Sequence, residues 1–331
     1  MGQGLTRDKV LDITGVSKHI LYYKPNGSRT GRAPSQQTLK YTSEGVVSVD
    51  NEELLQEIRR IQLDPDTNYG YRETTAHLMQ KGYVINHKKV HRLMKESQLL
   101  KEKRKFNGKS YVKYRKIAPE APLHVLEMDI KQVWITEHRR HAYILTVLDT
   151  FTRVALHYSV GYSIKKREVK AIWEKVIVDY LQEADLLSKG VHIEVRNDNG
   201  PQFSATEIQE FFKENYIHQV FTHPYTPQEN GHIESFHNIL KHALGKQIFW
   251  SLSELEKRLE IFYTKYNTQR LHSSIAYLSP MQFWKLWEED KIKKVVIGER
   301  KYKFKLLIPY QKISGNGNQR EVSCFIEQHQ K

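Results

Sequence analysis

The chain has 331 residues, 39% of them hydrophobic, and 52 Lys and Arg against 38 Asp and Glu give it a net charge of +14. It reads as a soluble globular protein of roughly two to four domains with a polyanionic partner, nucleic acid foremost. No apolar run approaches the ~18 residues of a membrane span, no signal peptide opens the chain, and Cys324 as the single cysteine excludes internal disulfides and Cys-based zinc clusters, so a cytoplasmic location is expected.

In chain order, residues 1–25 form a short helical segment, two helices of helix-turn-helix length broken at Thr14-Gly15, with Ser17 as N-cap of the second. Residues 26–49 read as a linker, rich in Gly, Ser, Thr and Pro at first. Residues 50–98 turn helical. Asp50 caps a helix with Glu53 at the capping-box position and Leu54, Leu55, Ile58 and Ile61 as its stripe; Tyr71–Gln80 gives a second helix, and Asn86 caps a third over His87–Lys95. The exposed side of that third helix carries Lys88, Lys89, His91, Arg92 and Lys95, which suits a DNA-reading helix-turn-helix and equally a small structural bundle. Residues 99–120 are a basic linker in which Lys103, Arg104 and Lys105 stand among other cations and aromatics. Such a stretch is either solvated or laid along phosphates.

From residue 121 the period changes to that of strands. Leu123–Ile135, His141–Leu148 and Val154–Val160 suggest an antiparallel meander, followed by a long helix from Lys166 to Leu187. A strand at Val191–Val195, a helix near Thr206–Asn215, a strand at His218–Thr222 and a helix from Glu229 to Leu244 complete an α/β order over 121–246, a mixed sheet flanked by helices. Residues 247–290 continue with helices, the first capped by Ser251 with Glu254, and 291–331 form a basic, strand-rich tail.

Three acidic residues hold telling positions: Asp129 inside an apolar strand, Asp198 at the end of the strand that runs into Arg196-Asn-Asp-Asn-Gly-Pro-Gln-Phe203, and Glu234 near a helix start. An Asp in an apolar strand is costly unless paired or liganded, and three converging carboxylates suit a hard cation such as magnesium. The plain alternative for Asn197, Asp198, Asn199 and Gly200 is a turn, because these residue types tolerate positive φ. From Glu234, His237, Asn238 and Lys241 fall on the same helix face. Lys241 there either touches DNA or is simply solvated.

Asp129, the segment 196–203, and Thr226-Pro-Gln-Glu-Asn-Gly-His-Ile-Glu-Ser-Phe-His-Asn-Ile-Leu-Lys241 together resemble the DDE signature of retroviral-integrase-like transposases, with 35 residues between Asp198 and Glu234. The likeness is closest to the second-frame product (OrfB) of bacterial insertion sequences of family three. Tyr69-Gly-Tyr-Arg72 through Met94 resembles that family's helix-turn-helix, Leu148–Arg153 a motif of its second core strand, and Tyr266–His272 with Leu278-Ser-Pro280 its closing motif.

The resemblance implies a ribonuclease-H-like core in which Asp129, Asp198 and Glu234 are catalytic and hold two Mg2+ or Mn2+ ions. It further implies in-line attack by water and then a 3'-hydroxyl on element ends and target DNA, with no covalent protein intermediate. Asn230, His232, His237, Asn238, Lys241, Arg270 and His272 join the cations of the third helix and basic linker as expected DNA contacts. Asp149 is expected to cap a turn rather than bind metal. The expected partners are double-stranded DNA at terminal inverted repeats and target, further copies of the chain, and an upstream-frame protein. The alternatives from other classes are a DNA-binding inhibitor of transposition and a structure-selective nuclease on the same fold.

Overall fold

The computed structural model describes residues 6–22, 34–67, 69–101, 119–223, 230–298 and 301–314. By its contacts the chain divides into two units, Met1–Gln36 and Gln37–Lys331. Within the first, helix α1 (Arg7–Thr14) stops at Gly15, whose φ of 66° suits glycine, and helix α2 (Lys18–Tyr22) follows.

The second unit begins inside the expected linker. Strands β1 (Gln37–Thr42) and β2 (Gly45–Asp50) pair antiparallel, with Gln37 opposite Asp50, so the linker expected over 26–49 is corrected to end in a hairpin. Burial does not reveal it: Thr38 and Val49 are its buried side chains, while Leu39, Tyr41, Val46 and Val47 stay exposed among Gly, Ser, Thr and Lys. The hairpin is pinned from the other side, where Tyr41 N–H donates to Gly82 O at 2.9 Å and Val84 N–H donates to Leu39 O at 2.8 Å. Gly82 has a φ of 90°, and a Cβ there would stand 2.5 Å from Tyr41 O. Only glycine permits that approach.

Helices α3 (Asn51–Leu63), α4 (Tyr71–Gln80) and α5 (His87–Glu96) complete this module, with a 3-10 turn at Pro65–Thr67. Asp50 accepts from Glu53 N–H at 2.8 Å and Asn86 from Lys89 N–H at 3.0 Å, so both expected N-caps form. The apolar stripes of the three helices, Leu54, Ile58 and Ile61 with Leu78, Val90, Leu93 and Met94, close over one another as a single core.

The larger core is a five-stranded sheet ordered β5-β4-β3-β6-β7. Strands β3 (Val125–Ile135), β4 (Arg140–Asp149) and β5 (Ala155–Gly161) form the antiparallel meander, and β6 (Ile193–Asn197) and β7 (Ile217–Phe221) add in parallel. The parallel additions require crossovers, which α6 (Lys166–Val176) and the pair α7 (Pro201–Ser204) and α8 (Thr206–Glu214) supply. The helix expected to run unbroken to Leu187 instead widens into a π-helical turn over Ile177–Gln182 and ends in turns to Gly190. Tyr180 and Leu181 stay buried.

Strand alternation divides the sheet's side chains between two cores. On one side Leu126, Met128, Leu145 and Val147 pack on α6 and α8, where Trp173 is fully buried and its indole N–H meets Met128 Sδ at 3.2 Å. On the other, Ile144 and Leu148 pack on α9 (Gly231–Leu244) and α10 (Leu252–Thr268). Each large apolar side chain taken fully from water contributes about 2 kcal/mol. Beyond α11 (Pro280–Glu288), strands β8 (Ile292–Gly298) and β9 (Lys301–Leu306) form the expected tail hairpin, ahead of the short helix α12 (Gln311–Ser314). Phe304 lies 5.1 Å from the ring of Phe151 and 4.7 Å from that of Phe283, so the hairpin is packed onto the core. Among the described residues no helix is long and apolar enough to cross a membrane.

The helical module is joined to the core by buried polar bonds. Asp66, 3% exposed, accepts from Arg258 of α10 at 2.6 Å; Asp64 accepts from Lys265 at 2.8 Å; and the Tyr69 hydroxyl donates to Gln269 O at 2.9 Å while accepting from Leu271 N–H at 3.0 Å. Removing one partner of a buried pair leaves the other charge uncompensated, at a cost of about 3 kcal/mol. Asp66→Ala is therefore expected to lower the denaturation midpoint by that equivalent in thermal or urea unfolding. An unchanged midpoint would show that the pair does not fasten the module.

Candidate catalytic site

Backbone register brings the first two acids together. β3 and β6 run parallel with Val125 opposite Glu194, Leu126 opposite Val195 and Glu127 opposite Arg196. Two residues further along each strand stand Asp129 and Asp198, on strand paths about 4.8 Å apart and with the same facing. α9 packs beside β3 and carries Glu234 in its first turn.

The three carboxylates share one field. Asp198 and Glu234 are both raised above the usual carboxylate range, by burial first and by the charge of Asp129 as well, while the Gly200 N–H opposes the rise at Asp198 and His237 opposes it at Glu234. Like charges held this close favour protonation or a cation. Among the described residues no group of three or more His, Cys, Asp or Glu is drawn tightly enough to hold an ion by itself. Asp129, which acts on both of the others, is the central member. Its Oδ1 accepts from Ile130 N–H at 2.8 Å, and its Oδ2 lies 3.3 Å from His237 Nδ1.

The segment after β6 presents Asp198 through its neighbours. Asn197 is fully buried, donates to Asp198 O at 2.7 Å and accepts from Gln219 at 3.0 Å; Asn199 donates to Thr222 O at 3.0 Å, tying the ends of β6 and β7. Gly200 N–H donates to Asp198 Oδ1 at 3.0 Å. The positive-φ turn offered as the plain alternative is corrected, for Gly200 has φ −56° and no residue from 197 to 200 has positive φ. A Cβ at Gly200 would meet Gln202 Nε2 at 2.3 Å, which the end of that side chain can yield, and Asp198 Oδ1 at 3.0 Å, so glycine there leaves the Asp198 carboxylate unpressed. Pro201 then opens α7 at the position where a missing N–H costs nothing, and Phe203 is buried as its anchor.

The other expected contacts divide by exposure. Asn238 and Lys241 are exposed on α9, and Lys88, His91 and Lys95 are exposed along α5 at helical spacing. Lys89 instead donates to Gln37 O at 2.8 Å and Thr38 Oγ1 at 2.7 Å, holding the hairpin, and Arg92 pairs with Glu96 at 3.1 Å. His237 is turned inward, with Nδ1 toward Asp129 and a buried Nε2. Arg270 donates to Asp66 O and lies in the module joint, while His272 packs edge-on to Tyr266 at 5.0 Å. Burial holds His272 and His232 as neutral rings, each pushed down to about 3, with Arg153 among the nearby cations opposing their protonation. Asn230 is buried beside the start of α9. Lys103, Arg104 and Lys105 lie outside the described residues.

Sequence reasoning passed over Glu127. It is fully buried, accepts from Ile233 N–H at 2.6 Å and is pushed up to about 7 by burial, against the pull of that N–H, Arg153 and Arg196. Its signal was a second acid at i−2 from Asp129, on the same strand face. Asp149 behaves as expected of a turn cap: fully buried, it accepts from Leu123 N–H, Phe151 N–H, Thr152 N–H and the Thr152 hydroxyl.

An HTH-like domain model matches residues 49–106, and two integrase core domain models match residues 119–227 and 215–280. The "Insertion element IS407 uncharacterized 31.7 kDa protein" of Burkholderia multivorans is 27% identical over 65% of this chain and 75% of its own length. The "Putative transposase InsK for insertion sequence element IS150" of Escherichia coli is 27% identical over 65% of this chain and 77% of its own length. Among solved structures, the catalytic core domain of HTLV-2 integrase in complex with magnesium is similar at 20% identity and a TM-score of 0.36, over 50% of this chain and 97% of that one.

The two kinds of carboxylate separate in a stability measurement. Asp149→Ala strands several buried donors and is expected to cost about 3 kcal/mol. Asp198→Asn, measured without divalent ions, removes a charge that the fold disfavours and is expected to leave the melting temperature unchanged or higher. A large loss in Asp198→Asn would make that residue structural.

Proposed function

Because this chain belongs to the insertion-element transposases built from an HTH-like domain and an integrase core, proteins that cut and join DNA, we propose that it cleaves and transfers strands at the terminal inverted repeats of its own element. The observation that carries this reading is the strand register that brings Asp129 beside Asp198, with Glu234 in the first turn of the adjoining helix. These side chains fit Mg2+ or Mn2+: all three offer hard oxygens, and Asp198 and Glu234 are raised by burial first and by Asp129 as well, which a bound cation would relieve. Asp129, Asp198 and Glu234 would together hold the divalent cation, with Asp129 as the member whose charge reaches both of the others. When bound, such ions supply activation of the attacking oxygen and charge stabilisation of the leaving one.

The remaining steps belong to side chains. Water attacks a phosphodiester in line and frees a 3'-hydroxyl, which then attacks a second phosphodiester and makes one bond as it breaks another. His237 holds Asp129 in place, and Lys241 and Asn238, exposed on the same face of α9 as Glu234, receive the backbone of the bound strand. Lys88, His91 and Lys95 of α5 enter the major groove of the element end. The basic linker with Lys103, Arg104 and Lys105 follows the phosphates, in keeping with the net charge of +14. Pairing two ends calls for at least two copies of the chain, together with an upstream-frame protein that assembles them.

The test is labelled duplex DNA carrying the element's end, incubated with and without Mg2+ or Mn2+, with the product strands sized. Nicked or joined strands that require the metal and fall at least a hundredfold in Asp198→Asn, at unchanged DNA binding, are expected. Sequence-specific binding with no cleavage under either metal would favour the inhibitor of transposition instead.

A further inference from the structure

Helix α9 presents Glu234 from its first turn, where backbone N–H groups have no acceptor within the helix. Its own N-cap residue, Asn230, makes no capping hydrogen bond. The acceptor comes from the sheet: Glu127 Oε2 takes the Ile233 N–H at 2.6 Å across 106 residues of sequence. Glu127 is wholly buried, so its Oε2 is an acceptor that the sheet supplies to the helix start away from solvent.

The placement matters because of what stands next to each end of that bond. Glu127 is two residues before Asp129 on β3, and Ile233 is the residue before Glu234 on α9. One side chain therefore ties the strand bearing one catalytic acid to the helical turn bearing another. Without it, α9 would be held to β3 by the single His237–Asp129 contact one turn further along and by apolar contacts of Ile233, Phe236 and Leu240, which resist separation more than they resist sliding.

We propose that Glu127 is a positioning residue that sets the distance between Asp129 and Glu234, and with it the width of the cation site. It touches neither DNA nor the reacting atoms. The inference rests on the reading of Asp129, Asp198 and Glu234 as cation ligands, and a metal-binding readout separates the two.

The experiment titrates the full chain with Mn2+ by calorimetry, for wild type, Glu127→Gln, Glu127→Ala and Asp198→Asn, with circular dichroism and end-DNA binding recorded on each. Glu127→Gln keeps an acceptor oxygen and is expected to bind Mn2+ within about threefold of wild type. Glu127→Ala loses that acceptor and is expected to bind at least tenfold more weakly, as for other groups that orient metal ligands, while DNA binding by α5 is unchanged. A folded Glu127→Ala with wild-type Mn2+ affinity would overturn the assignment. Wild-type affinity in Asp198→Asn would instead sink the ligand reading beneath it.

Amide exchange in the wild-type protein gives a check that needs no variant. The Ile233 N–H is expected to exchange at least tenfold more slowly than the Glu207 N–H in the first turn of α8, where no side chain caps the helix. Equal rates at the two positions would mean that Glu127 does not hold the turn.

Discussion

Holding the carboxyl groups of Asp129, Asp198 and Glu234 together in a partly buried place is the constraint around which the rest of the molecule is arranged. Burial first, and the charge of Asp129 with it, raise Asp198 and Glu234, so the folded chain holds together acidic groups that would separate if they were free to move. They are not free: one sits inside a strand with neighbours on both sides, one ends the adjoining parallel strand, and one rides on a helix packed across the same sheet. Two apolar layers, one on each sheet face, supply the stability against which that strain is held. Many of the polar details nearby serve presentation. Asn197 and Asn199 fasten the strand end, Gly200 leaves room for the carboxylate and donates to it, and the buried Phe203 stops the segment from swinging away.

A second constraint is the joint between the helical module and the core. The helical module and the core meet through Asp64, Asp66 and Tyr69 on one side and Arg258, Lys265 and the closing segment 269–271 on the other. Charged groups buried at a joint fix its geometry, because sliding would strand them. Arg270 belongs to this joint, and Leu271 is part of the module's own apolar core. The exposed cationic face of α5 is thus held at a set place relative to Asp129, Asp198 and Glu234.

Much of this was legible in the chain. The period switch near residue 121, the capped helices and the three acids at strand and helix ends led to the mixed sheet and to the grouping of Asp129, Asp198 and Glu234, because periodicity and capping are local properties. What escaped was decided by tertiary contact. The hairpin at 37–50 buries little and owes its place to Gly82 and Val84. Lys89 looks solvent-facing on its helix, yet it finds its partner in a distant segment, at Gln37 O and Thr38 Oγ1. Glu127 was masked by its more prominent neighbour, and only the arrival of α9 against β3 shows what its carboxylate does.

The central claim is that the three carboxylates form one divalent-cation site, and anomalous scattering from crystals soaked in Mn2+ tests it most directly. Anomalous density among the side chains of Asp129, Asp198 and Glu234 is predicted, and its loss in Asp129→Asn. Peaks elsewhere, or no peak among these three side chains under saturating Mn2+, would contradict it.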